Sequence, residues 1–483
     1  MKVRPLEKSD GINLYEQVAN RIEKLIEDGT LQPGDRIPSV RKLRHQLSVS
    51  VSTVLEAYRL LEDRGLIAAK PQSGYFVKKM ARTLLQEPPR SAPTDRACRV
   101  DTSLAYRINA ALHKPNTVKL GAAIPGMELL PVTTLNRLIG QVIRQKPELA
   151  HAYVSSPGCI ELRTEIARRM LETGCSIAPE DIVTTNGTTE AIYLSLKAVT
   201  QPGDTVAIES PTYYGILGAL ESLHLQALEL PTHPREGICL DALETAAKQG
   251  RIAACVVVSN FSNPCGSCMS DQKKKALAEL VDRYNLPLIE DDIYGDLYFE
   301  GSRPKAIQAF DRRGLVMYCA SFSKTLSPGL RIGWAVPGTY RATVEQLKLV
   351  TNYATAVVPQ WAIAAFLSNG GYDRHLRKLR AAYRSNVQSM TRAIETYFPP
   401  NTRVTRPLGG HVLWVELPGE ISAMQLYRDA CQHGISIAPG PMFSASGNYA
   451  NYLRLNCGLP WSAQIEGAIA TLGRLIEQQQ IIR

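Results

Sequence analysis

Ser321-Phe322-Ser323-Lys324-Thr325-Leu326-Ser327-Pro328-Gly329-Leu330-Arg331-Ile332-Gly333 sets one lysine among hydroxyl side chains, with an arginine seven residues on. The stretch follows the apolar run Val316-Met317-Tyr318-Cys319, so Lys324 falls where a buried strand gives way to a turn. An amine placed there is a candidate nucleophile. A free lysine has a pKa of about 10.4 and is protonated at neutral pH. Holding it covalently on an aldehyde as a Schiff base removes that obstacle. Ser321, Ser323 and Arg331 supply hydroxyls and a fixed charge suited to a phosphate.

Pyridoxal 5′-phosphate is the aldehyde with those demands, and it has three more. It needs anchors for a dianion, a carboxylate opposite its pyridine nitrogen and a flat partner for its ring. In Thr184-Thr185-Asn186-Gly187-Thr188-Thr189-Glu190 a strand passes into a helix. The N–H groups of Gly187, Thr188 and Thr189 would face an anion there at the positive helix end. Glu290-Asp291-Asp292-Ile293-Tyr294 ends another apolar strand with two adjacent acids, either of which can hold the ring nitrogen protonated. Tyr294 and Asn263 can donate to the ring oxygen, and Tyr213 can stack on the ring. Each feature alone is common in caps, surfaces and cores; their conjunction is not.

In order and spacing these motifs resemble the class I/II aminotransferase family, of pyridoxal-phosphate fold type I, over roughly residues 115–480. That resemblance implies a mostly parallel sheet flanked by helices and a small C-terminal α+β lobe from about residue 370. It selects Asp291 over Asp292 for the ring nitrogen. It also implies that Tyr153 reaches the phosphate of a partner subunit and that Arg454, in Tyr452-Leu453-Arg454-Leu455, binds a substrate α-carboxylate.

The N-terminal part reads differently. Leu14, Val18, Ile22, Leu25 and Ile26 recur at helical spacing after Asn13, and Gly29 stops them. Pro33-Gly34-Asp35-Arg36-Ile37-Pro38 is a turn-rich link. Ser39 can cap a second helix carrying Leu43 and Leu47, and Ser50 or Ser52 a third carrying Val54, Tyr58 and Leu61. Two short strands follow, Leu66–Lys70 and Tyr75–Val77, around Gly74. Three helices and a hairpin describe a winged helix-turn-helix. Residues 1–82 hold 15 Lys/Arg against 10 Asp/Glu, a surplus that suits an anionic polymer but equally a solvated charged face.

Leu31-x-Pro33-Gly34-Asp35-Arg36-Ile37-Pro38-Ser39-Val40-Arg41 and Ser73-Gly74-Tyr75-Phe76-Val77 resemble the GntR-type module over residues 11–79. The resemblance implies double-stranded DNA as a partner and Arg36, Ser39, Arg41, Ser50, Ser52 and Thr53 as its contacts. Val51 stands where many relatives carry an arginine, so direct guanine readout from that position is lost.

A GntR-type module at 11–79, a linker at 80–115 rich in proline (Pro88, Pro89, Pro93) and an aminotransferase-like part at 116–483 resemble the MocR subfamily of transcriptional regulators. This multidomain α/β arrangement implies a head-to-tail homodimer, with each DNA-binding module over the other subunit's large domain. Function is then expected to be transcription control, with the Lys324 aldimine sensing an amino compound. A working aminotransferase with an accessory DNA-binding arm is the alternative. The ten cysteines are sparse and irregular; Cys265 and Cys268 have no second pair to complete a metal site, and no metal is expected. No run of about 18 apolar residues marks a membrane span. Without a signal-like N-terminus, a cytoplasmic location is expected.

Overall fold

The computed structural model describes residues 13–27, 30–32, 34–70, 73–78, 85–93, 95–111, 117–152, 154, 156–419 and 421–481. The chain divides into two compact units, 1–84 and 85–483.

In the first unit α1 (Leu14–Glu27), α2 (Val40–Leu47) and α3 (Val51–Asp63) pack over a hairpin of β1 (Ile67–Lys70) and β2 (Gly74–Val77). The expected caps are in place: the Ser39 hydroxyl accepts from Lys42 N and that of Ser50 from Thr53 N. The helical spacing read from the sequence puts Val18, Ile22, Leu43, Val54, Tyr58 and Leu61 into one core, closed by Leu66 and Val77 from the hairpin. Each such aliphatic burial stabilises by about 1.5–3 kcal/mol relative to exposure.

The second unit is built on a nine-stranded sheet. Its order is Cys98–Arg99, Gln226–His233, Thr205–Ser210, Ala254–Val258, Leu288–Asp291, Val316–Ser321, Gly333–Val336, Val183–Thr185, with Gly237–Ile238 paired to the second of these. The five strands from Gln226–His233 to Val316–Ser321 are parallel; the flanking pairs are antiparallel. Alternate residues of one strand enter different cores, Val256 and Val258 on one face, Cys255 and Val257 on the other. Burial on both faces explains why these strands read as continuous apolar runs. The four central parallel strands Thr205–Ser210, Ala254–Val258, Leu288–Asp291 and Val316–Ser321 end in Ser210, Val258, Asp291 and Ser321, and such strand ends are where an open α/β sheet presents a ligand site.

From the long helix Gly371–Tyr397 onward the chain forms a smaller lobe. An antiparallel sheet of Arg403–Val404, Val412–Glu416, Tyr452–Asn456 and Ala438–Pro439 packs its apolar side on the helices Ala423–Gln432 and Ala463–Ile481. Leu120 belongs to the same core, and Val118–Lys119 pairs with Ile435–Ser436, so the segment entering the large sheet also serves the small lobe.

Residues 85–111 differ from the extended linker expected there. Cys98–Arg99 adds an edge strand to the large sheet, and Ser103–Ala111 is a helix whose Ala105 and Ile108 are buried. Gln86 O accepts from Val404 N, the Glu87 carboxylate accepts from Arg406 N and pairs with Arg235, and Ser91 exchanges hydrogen bonds with Thr232. Prolines make this stretch extended, yet its backbone groups find partners in folded neighbours. Among the described residues no helix is long and apolar enough to cross a membrane.

Candidate cofactor pocket and nucleic-acid interface

One pocket in the large unit gathers Thr188, Thr189, Tyr213, Asn263, Asp291, Tyr294, Ser321, Ser323, Lys324 and Arg331. Its anion end is built by a turn. Gly187 takes φ 80°, a left-handed conformation that glycine adopts without strain, and opens the helix Thr188–Val199. A Cβ at that glycine would lie 2.5 Å from Arg331 Nη2. Arg331 is thereby laid along the turn, donating to Asn186 O at 2.8 Å and towards Ser323 Oγ at 3.5 Å. The Thr188 hydroxyl is buried and has no hydrogen-bond partner among the described residues. A helix N-terminus, a fixed guanidinium and an unpartnered hydroxyl together make a seat for a phosphate.

Lys324 Nζ donates to Ala123 O at 2.7 Å. Desolvation first, then the Arg454 charge, lower its pKa to about 8. The two neighbouring acids face different ways. Asp292 is engaged by Arg303 at 2.8 Å, Asn260 at 2.7 Å and Tyr318 at 2.9 Å, away from the pocket. Asp291 is buried in the pocket wall, accepts among the described residues only from Ile293 N at 3.1 Å, and is pushed up to about 7 by burial. Geometry therefore leaves Asp291 as the acid available to a ligand. Asn263 Nδ2 lies 3.5 Å from the Tyr294 hydroxyl. Tyr213 lies against Tyr214, ring centroids 4.6 Å apart, and Gly215 leaves room for it, since a Cβ there would come within 2.4 Å of its ring.

Arg454 sits behind Asn263, fully buried. It donates to Asn263 Oδ1 at 3.1 Å and to Gly121 O, and its guanidinium lies 5.2 Å from the Phe443 ring. Its Nε has no partner among the described residues, and burial lowers its pKa. Tyr153 lies outside the described residues. Sequence reasoning missed Arg303, which joins Asp292 and Asp296 in a buried ion network; in the chain it stands in a Gly-Ser-Arg-Pro loop with nothing to mark it.

In the first unit the N-terminus of α3 carries a linked trio of hydroxyls. Ser50 Oγ lies 2.8 Å from Ser52 Oγ and 2.7 Å from Thr53 Oγ1. All three residues are at the unit's surface, beside exposed Val51. Arg41 is exposed on α2, and Arg36 lies along the hairpin, where a Cβ on Gly74 would meet its Nε at 3.4 Å. Ser39 is occupied as the α2 cap.

Residues 126–472 match the family model for aminotransferase class I and II, and residues 14–77 match that for bacterial regulatory proteins of the gntR family. The HTH-type transcriptional regulator YdcR of Escherichia coli (strain K12) is 39% identical over 96% of this chain and 99% of its own. The two models thus recur end to end with a regulator built on the same plan. The chain belongs to the MocR-like regulators.

This MocR-like chain is also similar to the 2-aminoadipate transaminase of Thermus thermophilus, 31% identical over 79% of the chain and 95% of the transaminase. The solved structure of LysN, an α-aminoadipate aminotransferase from Thermus thermophilus, superposes with a TM-score of 0.73 at 29% identity, covering 80% of this chain and 97% of that one. That structure carries a phosphopyridoxyl-leucine adduct. Family and fold make pyridoxal phosphate the cofactor of the MocR-like chain. The residues present fit it: an orphaned hydroxyl and a glycine cradle for the phosphate, a buried carboxylate for the ring nitrogen, and one lysine for the aldehyde.

Proposed function

We propose that this regulator binds DNA through its N-terminal unit and that an amino compound entering the Lys324 pocket changes that binding. The observation that carries the reading is a pocket lined by a lysine, a buried carboxylate, hydroxyls and an arginine, in the same chain as a helix whose N-terminal hydroxyls lie at the surface. When bound, the cofactor supplies an aldehyde that condenses with amines and a ring that withdraws electrons.

Each residue has a task. Gly187, Thr188, Thr189, Ser321, Ser323 and Arg331 hold the phosphate, and Tyr153 of a partner subunit completes that site in a head-to-tail homodimer. Asp291 would keep a proton on the pyridine nitrogen, Tyr294 and Asn263 would orient the ring oxygen, Tyr213 would cover one ring face, and Lys324 would hold the aldehyde and yield it to an effector amine. Arg454 takes the effector's carboxylate as a bidentate pair. Arg36, Arg41 and the hydroxyls of Ser39, Ser50, Ser52 and Thr53 meet DNA phosphates and base edges, in the cytoplasm.

The test joins absorbance to DNA binding. Purified protein with added cofactor should show a visible band that borohydride fixes, absent from Lys324→Ala. A panel of amino acids should then shift both that band and the affinity for promoter DNA. DNA affinity unmoved by cofactor and by every amine would defeat the sensor reading, and full conversion of the band with turnover of a keto acid would favour an enzyme.

A further inference from the structure

Thr325 follows Lys324, and one helix holds both its hydroxyl and its carbonyl. The Tyr372 hydroxyl lies 3.0 Å from Thr325 Oγ1, and His375 Nε2 lies 2.6 Å from Thr325 O. A carbonyl oxygen only accepts, so Nε2 carries a proton and donates. Tyr372 and His375 stand three positions apart near the start of the helix Gly371–Tyr397, a spacing that puts both on one face. Thr325 and Tyr372 are buried, and the turn around Lys324 is closed by Leu326 N donating to Phe322 O at 2.8 Å.

The contacts continue to the other side of the pocket. The Tyr372 hydroxyl is also 2.8 Å from Asp296 Oδ2. Arg303 donates to Asp296 Oδ1 at 2.6 Å and to Asp292 Oδ2 at 2.8 Å. One buried series therefore runs Thr325, Tyr372, Asp296, Arg303, Asp292. Its two ends adjoin Lys324 and Asp291 in sequence, the amine and the acid that line the pocket. Buried polar networks with charged members resist rearrangement, because each group that let go would be left unpaired at low dielectric. The backbone at Lys324 is thus tied to the strand end at Asp291 by groups that do not themselves face the cofactor.

We infer that Tyr372 and His375 are positioning residues for Lys324, holding it so that it competes strongly with an arriving amine for the cofactor aldehyde. The inference rests on the reading of Lys324 as the residue that holds that aldehyde, and it sets how much effector a sensor of this design needs. In the exchange the arriving nitrogen bonds the aldehyde carbon, the bond from Lys324 Nζ to that carbon breaks, and both amine hydrogens pass to Nζ. An anchored lysine has a high effective concentration at the carbon. A loosened one has less, and the free amine gains what the lysine loses. A purely structural role predicts the opposite, since a disturbed pocket holds every ligand more weakly.

Visible-absorbance titration of the full chain loaded with pyridoxal phosphate, with methylamine and with L-alanine as the amines, tests this. Tyr372→Phe keeps the ring beside the Arg169 guanidinium, 4.3 Å away, and removes only the hydroxyl. It should bind both amines about 3- to 10-fold more tightly than wild type, the worth of one hydrogen bond. Cofactor retention by equilibrium dialysis should stay within about twofold, since no phosphate or ring contact is touched. His375→Leu should tighten amine binding likewise, and His375→Gln, which keeps a donor for Thr325 O, should return it to the wild-type value. Amine binding that is unchanged or weaker in both Tyr372→Phe and His375→Leu overturns the assignment and leaves the Lys324 reading intact. A wild-type band that borohydride does not fix overturns the Lys324 reading and the assignment with it. A band that methylamine shifts as expected across the variants, while no amino acid alters DNA affinity, supports the assignment and defeats the sensor alone.

Discussion

Arg303 Nη2 and Asp292 Oδ2 form an ion pair at 2.8 Å inside the large unit, one residue along from the acid that faces the pocket. Arg303 also pairs with Asp296, and Asp292 accepts from Asn260 and Tyr318 as well. Adjacent carboxylates are thus treated differently: one is saturated by the protein, the other lines the pocket with one hydrogen bond from Ile293 N among the described residues.

Exchange of the arginine should therefore cost stability. Arg303→Met leaves Asp292 buried without its cation, and loss of one partner from a buried pair costs about 3–5 kcal/mol. Urea unfolding of the variant should show a midpoint lowered accordingly. Asp291→Asn should behave in the reverse sense: unfolding within about 1 kcal/mol of wild type, because no internal cation is abandoned, but pyridoxal phosphate bound roughly 10-fold or more weakly. Equilibrium dialysis of the cofactor separates the two.

Glu209 gives a pH prediction. It is buried at the end of strand Thr205–Ser210, with one carboxylate oxygen accepting from Val258 N at 2.8 Å and the other unpartnered among the described residues. Burial, the largest cause, pushes it up to about 7. An acid whose folded pKa lies above its unfolded value of about 4 binds more protons folded than unfolded between those limits. Stability from this group thus falls as pH rises from about 4 to 7, then levels. Glu209→Gln should match wild type near pH 4 and exceed it by on the order of 2 kcal/mol at pH 8. Denaturant midpoints of both proteins across that range check the sign.

On the DNA side, Arg41 is exposed on α2 and pairs with no acid among the described residues. Arg41→Ala should weaken binding to all sequences alike and flatten the salt dependence by about 0.9 in log–log slope, the effect of one phosphate contact. Anisotropy titrations at several salt concentrations measure it.

What the sequence disclosed follows from which forces are local. Ser39 and Ser50 cap helices by bonding residues three positions on, and Val18, Ile22 and Leu43 declare a face by period alone, so the first unit was legible element by element. That Thr188, Asp291 and Lys324 line one pocket was foreseeable because one ligand's expected needs are spread over recognisable turns and strand ends. Arg303 was not. Its importance comes from Asp292, a partner 11 residues away. Residues 85–93 misled for a related reason: prolines signal extended backbone, but the hydrogen bonds of Gln86, Glu87 and Ser91 are made with segments more than 140 residues distant.

Arg454→Met should abolish the preference for amino acids over the corresponding amines, lowering amino-acid affinity on the order of 100-fold. Absorbance titration with an amino acid and its decarboxylated amine reads both.

Arg454 has a further consequence, one of protein lifetime. A fully buried guanidinium that no carboxylate neutralises among the described residues is costly to fold around, and an arriving carboxylate would repay part of that cost. Ligand linkage then makes the occupied chain harder to unfold, by about 2.7 kcal/mol at a ligand concentration 100 times the Kd. Proteases that act on opened molecules would clear the empty form faster, so effector supply would set how much of this regulator a cell contains as well as what it does.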